Sequence, residues 1–173
     1  MRVHLYEGGL TSLVAHSGVG QAICHQRAML AEAGVELTDG WKGRADAVHI
    51  NTVLPDAPLA ALRARLRGET VVWYGHSTME DFRESFVGSN RLAPLFRRWL
   101  CVCYGLADVV VTPTPYSRRI LEGYGLKKPV YALSNGVDTE FFAPDPARGA
   151  AWRARQQQRP GQKLVISVGH FME

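Results

Sequence analysis

The sequence predicts a doubly wound α/β domain, and three observations carry that prediction. Short β-branched and aromatic runs alternate with helical stretches along almost the whole chain. The central runs are apolar without interruption, as in strands buried on both faces of a parallel sheet. Polar residues gather directly after the strands, where the loops of such a sheet meet at its carboxyl edge.

Residues 2–6, RVHLY, form the first strand. Gly20 to Gly34 is an amphipathic helix with Ile23, Leu30 and Ala33 on one side and Gly34 as its stop. Val35 to Thr38 is a short second strand and ADAVHINT (45–52) a third. The next helix carries Leu59, Leu62 and Leu66 three and four apart, which places them on the inner face and the arginines on the other. Residues 71–75, VVWYG, make the fourth strand. Arg91 to Leu106 is helical, DVVVTP (108–113) is a buried strand, YSRRILEGYG (116–125) is a helix ending at Gly125, and VYALS (130–134) is another strand. This alternation implies a Rossmann-like, mostly parallel sheet with helices on both faces.

From Pro144 the composition shifts to prolines, glycines and charge. Residues 1–144 therefore read as one domain, 145–163 as a linker or helix, and 164–173 as the first strand of a truncated second domain. With 173 residues and 46% hydrophobic content the chain buries one full core. No apolar run approaches the about 20 residues that span a bilayer. The first residues lack a secretory signal, and three cysteines cannot all pair with one another. A reducing cytoplasm is the expected setting. Cys101 and Cys103 are two apart with no Cys-x-x-Cys or paired-histidine spacing, so no metal site is expected. The formal charge of +4 is clustered, at Arg63, Arg65 and Arg67, at Arg97 and Arg98, at Arg118 and Arg119, and at Lys127 and Lys128. Such pairs mark solvated helix faces or a surface for phosphate, lipid headgroup or nucleic acid.

Five polar loops should converge on the carboxyl edge: SGVG, HINT, GHSTMED, TPTPYS and SNGVD. Ser17, Gly18 and Gly20 stand just before a helix. They read equally as an N-cap with permissive glycines and as a backbone cradle for an anion. Neither the dinucleotide glycine pattern nor a Walker loop is present. His76 ends a strongly β-like run with acidic residues a few positions on. It would donate to or accept from a sugar hydroxyl, with a nearby carboxylate fixing its tautomer, or else be a strand-end histidine satisfied by backbone. Thr78, Glu80 and Asp81 read both as a cap with first-turn acids and as substrate contacts. His4 and His49 read as core histidines, Asn51 and Thr52 point into the same edge, and Asn135 with Gly136 makes a turn.

Taken in order, SGVGQAICHQRAML, AVHINT, GHSTMEDFRESFVGSN, TPTPYSRRILEGYGLKKPVYALSNGVDTEFF and VISVGHFME resemble the N-terminal half of a family 4 retaining glycosyltransferase with the GT-B fold. HST, EDFRESF and GSN are similar to the bacterial enzymes that add a second sugar to glucosyl-diacylglycerol. The resemblance implies an acceptor-binding domain, with a donor-binding domain beyond it. The nucleotide sugar, a UDP-hexose, is a substrate, and no cofactor or metal is implied. His76 matches the active-site histidine, Gly18 and Gly20 the loop near the donor diphosphate, and Asn135 with Gly136 the interdomain turn. Asn51, Thr52, Ser77, Thr78, Glu80, Asp81 and Tyr116 are the candidate acceptor contacts.

Retention implies same-face attack through an oxocarbenium-like state, in which positioning and charge stabilisation outweigh a dedicated base. A glycolipid or other glycan acceptor gives Arg91, Arg97 and Arg98, with Phe96 and Trp99, a peripheral role at the cytoplasmic membrane face; Leu92, Leu95, Phe96 and Leu100 read otherwise as core. No nucleic-acid partner is implied. The 173 residues alone are expected to be inactive. The competing reading is a non-catalytic acceptor-binding or interaction module of the same fold. A nucleotide-sugar epimerase would need acid and base carboxylates that the sequence does not place.

Overall fold

The computed structural model describes residues 1–9, 18–38, 40–41, 43–156, 159 and 161–165. Six strands form one sheet: β1 (Arg2–Tyr6), β2 (Glu36–Thr38), β3 (Ala47–Ile50), β4 (Thr70–Tyr74), β5 (Val109–Thr112) and β6 (Val130–Ala132). Their order is β2-β1-β3-β4-β5-β6 and every pairing is parallel. Chain progression therefore runs outward in opposite directions from β1 and β3. That reversal is the switch point at which such sheets bind ligands.

Among the described residues five helices accompany the sheet: α1 (Gly18–Glu32), α2 (Ala57–Leu66), α3 (Met79–Phe82), α4 (Ser89–Gly105) and α5 (Pro115–Glu122). Neighbouring strand residues point to opposite faces, and the core divides accordingly. Val48, Ile50, Val71, Trp73, Val110 and Val130 pack with Ala57 to Ala64 of α2, Leu100 and Tyr104 of α4 and Leu121 of α5. On the other face Val3 and Ala47 pack with Leu30 of α1. The doubly wound, Rossmann-like fold is thus as expected, with an all-parallel sheet.

Three helix-face expectations are overturned. On α2 the leucines face out, with Leu59 at 68%, Leu62 at 46% and Leu66 at 90% exposure, while Ala57, Ala60, Ala61 and Ala64 are buried. Small side chains let this helix approach β3 and β4 closely, and the leucines fall on the far side. The arginines flank them: Arg63 lies over Trp41 at 4.6 Å, and Arg65 pairs with Asp108 at 3.1 Å. On α1, Ala33 is exposed beyond the helix end; the buried stripe is Gly20, Ala22, Ile23, Gln26 and Leu30. On α4, Ala93, Leu100, Cys103 and Tyr104 are buried whereas Leu92 and Leu95 are exposed. The three cysteines are free.

The chain divides into two compact units, Met1–Gly136 and Val137–Glu173, ahead of the boundary at 144 read from the sequence. In the second unit Asp138 Oδ1 accepts from the N–H groups of Glu140 and Phe141. Its helix α6 (Pro146–Arg155) starts with Pro146 and is capped by Asp145, whose Oδ1 accepts from Arg148 N at 2.8 Å. Ser17 and most of the expected strand at 164–169 lie outside the described residues.

Candidate active site

The carboxyl edge of the sheet is held in place from the core. Trp73 Nε1 donates to Thr52 O at 3.1 Å and Trp99 Nε1 to Val53 O at 2.7 Å, fixing the segment after β3. Tyr104 OH donates to Ser77 O at 2.8 Å, and Thr112 Oγ1 to Gly75 O at 2.9 Å, fixing the segment after β4. Trp73 and Tyr104 are fully buried and meet edge to face. At Gly75 an added Cβ would lie 2.8 Å from Leu121 Cδ1, so glycine is the residue that lets the chain turn from β4 towards His76.

Two of the expected residues are brought into direct contact there. His76 Nε2 lies 3.1 Å from Asn51 Oδ1, which also accepts from Gln26 Nε2 at 2.8 Å. An amide oxygen is an acceptor, so the His76 proton sits on Nε2. Nδ1 has no hydrogen-bond partner among the described residues and keeps its lone pair. The expectation of a tautomer set by a nearby carboxylate is therefore corrected: an asparagine sets it, and backbone does not satisfy the ring. Burial pushes the His76 pKa down to about 4, so the ring is neutral at pH 7. Tyr74 stacks against it with centroids 5.8 Å apart, and His49 lies 5.7 Å beyond. His49 is likewise pushed down to about 4 by burial.

Gln26 escaped the sequence reading, although a polar residue three positions after Ile23 and four before Leu30 on a buried stripe is a legible signal. Gln26 Oε1, Asn51 Nδ2 and Thr52 Oγ1 are buried without a hydrogen-bond partner among the described residues. Polar atoms this deep ordinarily have partners. Gly18 opens α1, and an added Cβ there would meet no atom of the described residues within 4 Å. Gly20 is buried in the helix.

The other candidates lie outside this junction, and several of them are engaged locally. Thr78, buried, donates to Asp81 Oδ2 at 2.7 Å and accepts from Asp81 N at 3.1 Å, which caps α3. Glu80 Oε2 accepts from Tyr124 OH at 2.7 Å, and that hydroxyl accepts from Met79 N at 2.6 Å. Burial first, then the Glu80 carboxylate, raises the Tyr124 pKa beyond the phenolic range. The Ser77 carbonyl takes the Tyr104 hydroxyl. Tyr116, in the first turn of α5, is 61% exposed. Asn135 Oδ1 is buried without a partner, and Gly136 has φ +80, the left-handed conformation expected of that turn. Among the described residues no group of three or more potential metal ligands occurs.

A parallel, doubly wound sheet with a buried polar site at its switch-point edge defines a Rossmann-like α/β domain built to bind a ligand at that edge. The model of Glycosyltransferase Family 4 matches residues 17–141, and the chain belongs to that family. It is 37% identical over 174 aligned positions to the processive diacylglycerol alpha-glucosyltransferase of Acholeplasma laidlawii, covering 100% of this chain and 51% of that protein. Its fold is shared with Anabaena HepE, crystallised in complex with UDP, at a TM-score of 0.54 and 14% identity, over 90% of this chain and 50% of that one. The chain thus spans about half the length of each.

Proposed function

We propose that this chain is the acceptor-side part of a retaining hexosyltransferase that moves a sugar from a UDP-hexose to a glycolipid, the donor being held by a separate domain. The observation that carries the reading is the junction at the carboxyl edge of β3 and β4 in which Gln26 Nε2 and His76 Nε2 both donate to Asn51 Oδ1, at 2.8 and 3.1 Å. A neutral imidazole whose Nδ1 lone pair is kept free would accept from a sugar hydroxyl. Asn51 Nδ2 and Thr52 Oγ1 stand beside it as buried groups with unused hydrogen-bonding capacity. The start of α1 would face the donor diphosphate, since a helix N-terminus favours negative charge and Gly18 leaves room for close approach. Positioning and preorganised dipoles would then carry most of the rate enhancement.

Likeness to a diacylglycerol glucosyltransferase supports a glycolipid acceptor. No described helix is long and apolar enough to cross a membrane; a glycolipid acceptor would be met at a bilayer surface. The exposed Leu92 and Leu95 of α4, with Arg91 and Arg98, suit that contact. Phe96 and Trp99 do not, because Phe96 stacks on Phe82 at 4.3 Å and Trp99 donates inward to Val53 O. The cytoplasmic face is the corresponding location. The test is transfer from UDP-glucose to glucosyl-diacylglycerol by the intact protein. His76→Ala should cut kcat about a hundredfold while leaving the protein folded, and wild-type turnover in that variant sinks the assignment. An intact protein that binds the glycolipid yet transfers no sugar from any UDP-hexose would favour the non-catalytic module.

A further inference from the structure

Away from the sheet edge, helices α3, α4 and α5 enclose a cleft of about 680 Å³ lined by four arginines, Arg83, Arg97, Arg98 and Arg119. Its one carboxylate, Glu80, is engaged by the Tyr124 hydroxyl at 2.7 Å. Arg97 is engaged as well: it donates to Gly123 O at 3.2 Å and lies over the Tyr124 ring at 4.9 Å. The guanidinium groups of Arg83, Arg98 and Arg119 make no hydrogen bond or ion pair among the described residues. Like charges held together without counter-charges repel one another. This chain pairs other arginines, as at Arg65 with Asp108 and Arg118 with Glu122, but leaves these three uncompensated around one cavity.

We propose that this cleft is a binding site for a phosphate-bearing group of the glycerophosphate kind. Planar guanidinium forks match phosphate oxygens two at a time, and several forks around one cavity exceed what a single carboxylate ligand would use. The volume exceeds one phosphate, and Pro94 and Ile120 supply apolar wall beside the charge, which suits a phosphate carried on a short carbon skeleton. A nucleobase is disfavoured, because the one ring in the lining, Tyr124, is already covered by Arg97. The site stands independently of sugar transfer, since binding is measured without any donor present.

The test uses the intact protein with two probes: glycerol 3-phosphate in calorimetric titration, and vesicles of phosphatidylcholine with or without phosphatidylglycerol in a flotation assay. Arg83→Gln with Arg119→Gln removes two partner-free charges. Lys127→Gln with Lys128→Gln removes the same charge outside the cleft. Loss of about tenfold or more in affinity for a probe with the arginine pair, and no change with the lysine pair, is the expected result. Binding of glycerol 3-phosphate assigns a soluble phosphate as sufficient, and binding of phosphatidylglycerol vesicles alone assigns a lipid headgroup. Equal weakening by both pairs, weakening by neither, or no binding of either probe overturns the proposal.

Discussion

Replacing His76 by glutamine should remove a definite part of the chain's acid sensitivity. Burial places the folded-state pKa of His76 at about 4 against an ordinary 6.5. The unfolded chain therefore binds this proton more readily than the folded one. The folded state is undisturbed by this group above pH 6.5 and loses stability as the pH falls from there towards 4. The gap amounts to about 3 kcal/mol when fully developed below pH 4, and to about 2 kcal/mol at pH 5. His49, held down by burial in the same way, should contribute a similar amount, so the wild type should lose about 4 kcal/mol from these two rings between pH 8 and pH 5. In His76→Gln the loss should be about 2 kcal/mol smaller, with the glutamine amide still able to donate to Asn51. Urea unfolding followed by tryptophan fluorescence at half-unit pH steps reads this directly, Trp73 being a fully buried reporter. The same pH dependence in variant and wild type would refute the assignment of a buried, neutral His76.

Three further substitutions test the packing at Gly75 and along α2. Gly75→Ala sets a methyl group 2.8 Å from Leu121 Cδ1 and 3.6 Å from the Tyr104 ring, and because both neighbours are fully buried it should cost about 1–3 kcal/mol, seen as a lower urea midpoint. The face of α2 is tested by a contrast: Leu66→Ser, at a 90% exposed position, should change stability by less than about 0.5 kcal/mol, whereas Ala61→Leu, at a fully buried one, should destabilise by about 1–3 kcal/mol; the reverse order would mean that the leucines face the core after all.

The strands were legible because their signal is local. A run such as Val71 to Tyr74 is β-branched and aromatic throughout, and few other arrangements accommodate it. Helix faces were less legible because scoring by size favours leucine, whereas a helix lying close to a sheet needs its smallest residues there. On α2 both stripes have helical spacing, and only contact with β3 and β4 decides between them. His76 and Asn51 were legible one at a time, as polar residues following strands. Their junction was not, since it pairs positions 25 apart in sequence and needs the parallel register that sets Ile50 opposite Trp73. Gln26 left a readable trace on its helix. The arginine cleft left only scattered basic pairs, because its walls come from three helices that the sequence does not place side by side.

The indole and phenol groups that reach from the core to Thr52, Val53 and Ser77 tie those loop segments to the sheet's own cooperative unfolding. Amide exchange there should follow the slow kinetics of the strands and not the fast kinetics usual for loops. A frame of this kind gives little when a different molecule enters. New specificity at this edge would have to evolve by exchanging side chains on a fixed backbone, with adaptable movement supplied by other parts of the protein.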